Sequence, residues 1–292
     1  MKPSNPGTTN ELGVLLRHWR DLRGKSQFDL SLDAGLSQKQ ISFVESGRSV
    51  PNRQTLMAMA QALDIPLRHR NALLLAAGYA PIFSEAAWDS AEMKSVTDAL
   101  KRMLRQHEPF PALVIDRYWN VLMTNESAPR FFNCFIDVAA REGPRNMLHL
   151  LFDPKGMRPF VANWEDVARN LFERVHRESV GRVVDQTTKE LLATLRAYPD
   201  VKSEWTNPVV MSFMPVIPLS FVKDDRVLNY FSMVTTVGTP HTVAAQELRM
   251  ECMFPADEAT ETLHAALMDT DRISNGSVIE KASELVQTRF GR

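Results

Sequence analysis

SQFDLSLDAGLSQKQISFVESGR, residues 26–48, reads as helix, tight turn, helix. Ser26 is an N-cap, because its hydroxyl can accept one of the first unpaired backbone N–H groups of a helix. Phe28, Leu32 and Leu36 recur every four residues and therefore share one helix face. Gly35 stands where the first helix must stop and turn, a position at which φ > 0 costs glycine little. Ser37 caps a second helix whose apolar positions, Ile41 and Val44, are three apart and face inward. Gln38, Lys39, Gln40, Ser42 and Phe43 are left pointing outward near its start. This is the geometry of a helix-turn-helix, whose second helix offers its first residues to base edges in the major groove. An ordinary αα-hairpin inside a helical domain would show the same turn.

The flanks separate the two readings. Upstream, Leu12–Arg23 is amphipathic, with Leu12, Leu15, Leu16, Trp19 and Leu22 on one face. Downstream, Glu45-Ser46-Gly47-Arg48 closes the second helix with a glycine. Pro51 and Asn52 restart a helix carrying Leu56, Met59, Ala60 and Leu63. A fifth helix follows Asp64-Ile65-Pro66 from about Leu67 to Ala77. With Gln27, Leu30, Ser37, Gln38, Ile41, Ser42, Glu45, Gly47 and Pro51 at their spacings, the segment resembles the five-helix, all-α DNA-binding domain of Cro/C1-type phage repressors, the Xre family. The resemblance implies that Gln27 touches a phosphate and Gln38 reads a base. It also implies that Arg20 and Glu45 form a structural pair tying the first helix to the end of the recognition helix. Asp29 and Asp33 depart from it, since they make the positioning helix acidic. The candidate DNA-contacting residues are Gln27, Ser37, Gln38, Lys39, Gln40, Ser42, Phe43, Arg48 and Arg53. The expected partner is a double-stranded DNA operator read by a homodimer.

The 292 residues suit two domains, and 44% hydrophobic with 24% charged residues is a globular composition. The first 82 residues carry ten Lys/Arg and six Asp/Glu, a net of +4, which leaves −5 for the remainder of a chain whose total is −1. A basic N-terminal part joined to an acidic partner fits a nucleic-acid domain followed by one that does not touch DNA. Cys134 and Cys252 offer neither a disulfide framework nor a metal spacing, so both read as small buried hydrophobes in a reducing compartment. Residues 1–10 lack the apolar core of a signal peptide, and Val209–Val222 is too short and too proline-broken to span a bilayer. The expected location is cytoplasmic. The seven histidines show no metal spacing on one helix, and there is no Gly-rich phosphate loop, no G-x-S-x-G and no cysteine beside a histidine. No catalytic or metal set is expected.

Beyond residue 82 the period changes. Ala91–Arg105 reads as a helix with Val96, Leu100, Met103 and Leu104 buried. Ala112–Asp116 and Tyr118–Asn125 read as a β-hairpin turned at Asp116-Arg117. Helices are expected at Glu126–Phe135, Asn146–Phe152, Phe160–Gly181 and Thr187–Tyr198. Strands follow at Val209–Val216, Leu219–Val222, Leu228–Val237 and Glu247–Phe254, and then a helix at Pro255–Leu267. A hairpin, several helices and then antiparallel strands make an α+β domain with helices packed on a curved sheet, as in PAS-like sensors. "VIDRYWNVLMTNESAPRFF", "NMLHLLFDP" and "ELRMECMFPADEATE" resemble the C-terminal domain of MmyB-type transcriptional regulators, as does the order of the two domains. The resemblance implies a PAS-like, ligand-binding fold whose apolar pocket holds a fatty-acid-like molecule, with no other cofactor.

Candidate pocket residues are Trp119, Met123, Phe131, Phe132, Leu148, Phe152, Met211, Phe213 and Phe231, each of which could equally fill ordinary core. Arg130, His149 and Arg158 are the candidate cations for a carboxylate. Asn125, at the end of the hairpin, reads as a turn or capping residue. The alternative is a C-terminal domain that serves as a protein-interaction or dimerisation module without a small ligand. The expected organisation is a disordered arm (1–10), the helix-turn-helix domain (11–82), a connector helix (83–105), the ligand-binding domain (106–268) and a helical tail (269–292).

Overall fold

The computed structural model describes residues 10–180, 185–206, 216 and 218–269. The chain divides into two units, one built from Met1–Glu92 and Val237–Glu247, the other from Met93–Ser179, Val184–Thr236 and Leu248–Arg292. The expected connector is thus split, since its helix belongs to the second unit, while a stretch beyond residue 236 belongs to the first. The N-terminal arm, the tail beyond 269 and most of the expected strand Val209–Val216 lie outside the described residues.

The first unit contains α1 (Glu11–Leu22), α2 (Gln27–Ala34), α3 (Gln38–Glu45), α4 (Arg53–Ala62) and α5 (Leu67–Ala76), and the first four start at side-chain caps. Asn10 accepts from the Gly13 N–H, and Asn52 accepts from the Thr55 N–H. Ser26 with Asp29 and Ser37 with Gln40 form reciprocal capping boxes. Gly35 ends α2 at φ 64°, the left-handed conformation the turn requires. Only α5 lacks a cap of its own, because Pro66 precedes it. Leu16, Trp19, Leu30, Ile41, Leu56, Leu63 and Leu73 close the core. The helix face that Phe28 and Leu32 share is turned outward. Phe28 and Leu32 are 55% and 65% exposed. Leu30 faces the core instead, and a residue two positions away lies about 200° around the helix.

A 3-10 turn (Ala91–Met93) spans the boundary between the units, and α6 (Lys94–Gln106) follows it in the second unit. Its sheet comprises β1 (Ala112–Ile115), β2 (Val121–Thr124), β3 (Leu219–Lys223), β4 (Arg226–Thr236) and β5 (Arg249–Pro255). The strand order is β2-β1-β5-β4-β3, and every neighbouring pair is antiparallel. This is the α+β architecture the sequence implies. Helices α7 (Ser127–Asn133), α8 (Met147–Phe152), α9 (Trp164–Val180), α10 (Gln186–Ala197), α11 (Val243–Glu247) and α12 (258–269) complete the described elements, α11 falling in the first unit.

Period-2 alternation gives the sheet two faces. Leu113, Ile115, Leu228, Tyr230 and Met253 turn into a large core with Phe131, Leu148, Phe152, Phe172 and Trp205. α6 packs on β1, burying Leu100 and Leu104, while Met103 stays 37% exposed, against expectation. The β3–β4 turn has Asp224 and Asp225 both at positive φ, the conformation of a two-residue hairpin loop. The β1–β2 turn is longer than the expected Asp116-Arg117. Asp116 accepts the N–H groups of Tyr118 (2.8 Å) and Asn120 (2.9 Å), and this loop carries Trp119 at φ 69°.

Candidate functional sites: the α3 surface and the sheet core

Both functional surfaces rest on buried polar knots. In the first unit the knot is Glu45, the last residue of α3, 1% exposed. Its carboxylate accepts from Arg20 Nε at 2.7 Å and Nη2 at 3.2 Å, and from the Gln27 amide at 2.9 Å. Its backbone carbonyl accepts from Asn10 at 2.8 Å and Arg17 at 3.2 Å. Burial alone would raise the Glu45 carboxyl pKa, but the hydrogen bonds from Arg20 and Gln27 outweigh it and hold the value below normal. α1, α2 and α3 therefore meet at a single carboxylate. Gly13 and Gly47 belong to the same junction. A Cβ on Gly13 would lie 2.4 Å from the Glu45 carbonyl oxygen, and one on Gly47 would lie 2.8 Å from the Asn10 side chain.

This knot fixes α3 with Ile41 and Val44 inward and Gln38, Lys39 and Gln40 exposed, while Ser42 and Phe43 are half-buried. Lys39 and Arg48 flank the Phe43 ring, their charged groups 5.5 and 5.7 Å from its centroid. Arg53, exposed at the start of α4, lies 5.5 Å over the ring of Tyr79. Two expected contacts carry structural duties. Gln40 Oε1 accepts from the Ser37 N–H at 2.9 Å, leaving its amide N–H groups for other partners. Gln27, expected on a phosphate, gives its amide to Glu45. The acids of α2 are engaged locally: Asp33 pairs with Lys25 at 2.7 Å, and Asp29 accepts the Ser26 N–H in the cap.

In the second unit, five of the nine expected pocket residues come together. Trp119, Phe131, Phe132, Leu148 and Phe152 are all buried in the main core. Met123 and Phe231 do not join them. Met123 pairs with Val114 and Phe231 with Phe254, both on the opposite face of the sheet, and the Phe231 and Phe254 rings stack at 5.5 Å. The register decides this, because Leu113 and Ile115 face the core and Val114 between them cannot. Met211 and Phe213 lie outside the described residues.

Trp119 is the distinctive member. It is 1% exposed, and its indole N–H meets no hydrogen-bond acceptor among the described residues. The Arg174 guanidinium lies 4.6 Å over its ring and pairs with Glu251 at 3.1 Å. Glu251 faces the core opposite Leu113, so a cation, an anion and an indole donor meet on the inner face of the sheet. Sequence reasoning missed Arg174 and Glu251. Arg174 is one charge among several on α9, and nothing in its spacing marks it. The expected cations are committed elsewhere: Arg130 to the Met268 carbonyl at 2.8 Å, Arg158 to Asp200 and the Trp164 ring, and His149 to the Tyr198 hydroxyl at 2.8 Å. Asn125 caps as expected, accepting from the Ala112 and Ala128 N–H groups at 3.0 and 3.1 Å.

No helix among the described residues is long and apolar enough to cross a membrane. Residues 96–267 match the family model of the MmyB-like transcription regulator ligand binding domain, and residues 16–69 match a helix-turn-helix model. No curated protein matches the chain.

Proposed function

The chain belongs to the family of the MmyB-like transcription regulator ligand binding domain, with an Xre-type helix-turn-helix ahead of that domain, and from this membership we propose a ligand-responsive, sequence-specific DNA-binding regulator. The observation that carries the DNA reading is the outward start of α3. Gln38 and Lys39 stand exposed on a helix whose far end is locked by a buried carboxylate. Gln bonds adenine bidentately and Lys reaches guanine, whereas Arg48 and Arg53 suit phosphates. A homodimer would read two half-sites about 34 Å apart, or a multiple of that spacing.

For the second unit the proposed ligand is small, apolar and fatty-acid-like. The unpartnered Trp119 N–H beside Arg174 supports an acceptor-bearing head group, and the surrounding Phe and Leu side chains suit a hydrocarbon chain.

The test is a selection of duplexes from a random library with the full-length protein, followed by titration of the selected duplex against an unselected one. A selected duplex bound about a thousandfold or more tighter is expected. Equal affinity for both would refute sequence-specific reading. Native mass spectrometry of the purified protein tests the ligand. A co-purifying acyl chain is expected, whereas a domain that answers only to another protein would fly at the calculated mass and take up no added dodecanoate.

A further inference from the structure

The first unit contains a stretch of chain from far down the sequence. Residues Val237–Glu247 follow the end of β4 and precede β5, yet they belong to the unit that carries the helix-turn-helix. Within that unit α11 packs on α5. Val243 and Ala245 are buried, and the Val243 N–H donates to the Ser84 carbonyl at 2.9 Å.

The polar contacts fall on the end of α5 that lacks a cap. Gln246 Oε1 accepts the Leu67 N–H at 2.7 Å, satisfying a first-turn donor that Pro66 leaves open. Glu247 grips Arg68 with both oxygens, Nε at 2.9 Å and Nη2 at 3.0 Å, the fork geometry that orients as well as attracts. The remaining Arg68 nitrogen donates to Glu85 at 2.9 Å. Glu85 in turn accepts from the buried Asn71 amide at 2.9 Å, and Asn71 also accepts the N–H groups of Ile82 and Phe83. α5 packs against both α1 and α4, with the His69 ring 5.2 Å from that of Trp19. α1 carries Arg20, the principal partner of the Glu45 carboxylate.

We propose that Val237–Glu247 is a clasp in which Gln246 and Glu247 act as positioning residues for α5, so that the state of β4 and β5 is passed along the chain into the DNA-reading unit. The clasp is covalently continuous with both strands, through a loop after Thr236 on one side and through Leu248 alone before β5 on the other, so a shift of the start of β5 bears directly on α11 and its bonds to Leu67 and Arg68. The coupling stands on these bonds alone; its use as the path of a ligand signal rests on the regulator reading above.

Hydrogen exchange followed by mass spectrometry on the full chain tests the coupling without DNA or ligand. Leu228→Ala, or the milder Leu228→Val should alanine prevent folding, loosens β4 and serves as the perturbation. Faster exchange of β5 amides confirms that it acts. In the otherwise wild-type chain the α5 amides of Leu73 and Leu74 are expected to exchange at least about fivefold faster as well, the rate equivalent of one capping interaction. In a Gln246→Ala/Glu247→Ala background the same Leu228 change should speed β5 and leave α5 at the rate already set by the cut clasp. Gln246→Glu, which keeps the acceptor oxygen, should restore the α5 response. An α5 that ignores the Leu228 change in the wild-type background, or follows it equally with the clasp cut, overturns the proposal. Because no DNA is present, failure of the DNA reading would leave this result untouched.

Discussion

At the scale of single residues, Glu45 in the first unit and His264 with His149 in the second bear on how each unit responds to pH. Glu45 has a folded pKa below its ordinary 4.5, because the bonds from Arg20 and Gln27 outweigh the penalty of burial. Its contribution to stability is therefore complete above about pH 4.5 and is lost as the pH falls through the lowered folded value. Removing the carboxylate takes the buried acceptor from both Arg20 and Gln27, leaving the Arg20 guanidinium with Asp21 and the Lys25 carbonyl. Glu45→Ala should cost the first unit about 3–5 kcal/mol, read as loss of exchange protection in α1 and α3. His264 has the opposite chemistry with the same pH direction. Its ring is 1% exposed, Nδ1 lies 2.7 Å from the Tyr230 hydroxyl, and Nε2 lies 2.9 Å from the Pro109 carbonyl. Burial lowers its pKa; the Pro109 carbonyl raises it, and Arg130 adds to the lowering. His149 is lowered likewise, by burial first and then by Arg141. Below the ordinary 6.5 the unfolded chain takes up protons at both sites before the folded one does. The second unit should accordingly lose stability as the pH falls below about 6.5. His264→Gln should flatten that slope in melting curves recorded across that range.

At the scale of elements, α3 can be separated into what holds it and what it reads. Ser37→Ala removes one half of a reciprocal cap and should destabilise the helix by about 1 kcal/mol. Gln38→Ala leaves every described bond of the knot in place and should relax specificity at one base position by roughly 1–3 kcal/mol. Arg53→Ala should weaken all sequences alike and lower the slope of log K against log salt by about 1. Titrations of matched and mismatched duplexes at several salt concentrations distinguish the last two. An unchanged affinity for every duplex after both substitutions would remove α3 as the reading helix.

Much of this arrangement was legible in the sequence, because caps, glycines and apolar spacing are local signals. Ser26, Gly35 and Ser37 mark the ends of α2 and α3, and the spacing of Ile41 and Val44 shows which side of α3 is outward. The spacing of Phe28 and Leu32 says that they share a helix face but not which way it points, because the direction of the core is set by Leu30 and the packing of neighbouring helices. Met123 and Phe231 misled for a related reason. A strand's two faces are distinguishable only once its register is known, and a bulge between β1 and β2 shifts that register near Met123. Trp119 at positive φ carries no turn signature, and α11 is only five residues long, too short to leave a period. The missing cap at Pro66 was readable; its supplier, 179 residues away, was not.

At the scale of the molecule, the proposed regulator requires that a molecule held in one unit alter what the other does to DNA. A ligand shifts an equilibrium only by binding its two sides unequally, and a hundredfold change in operator affinity requires about 2.7 kcal/mol of differential binding. Dodecanoate at a hundred times its Kd should stabilise the second unit by about 2.7 kcal/mol through mass action alone, raising its melting temperature whether or not the signal travels. The signal is the separate observable. With the clasp intact, dodecanoate should change the operator Kd as well as the melting temperature, in a direction set by which arrangement of the first unit goes with the filled core. With Gln246→Ala/Glu247→Ala, the α5 N-terminus loses the acceptor for Leu67 and the fork on Arg68, while the described core around Trp119 is untouched. Dodecanoate should then raise the melting temperature as before and leave the operator Kd where it was. Loss of both responses would place Gln246 and Glu247 in the folding of the sensor and not in its output. Retention of both would show that the signal takes another route.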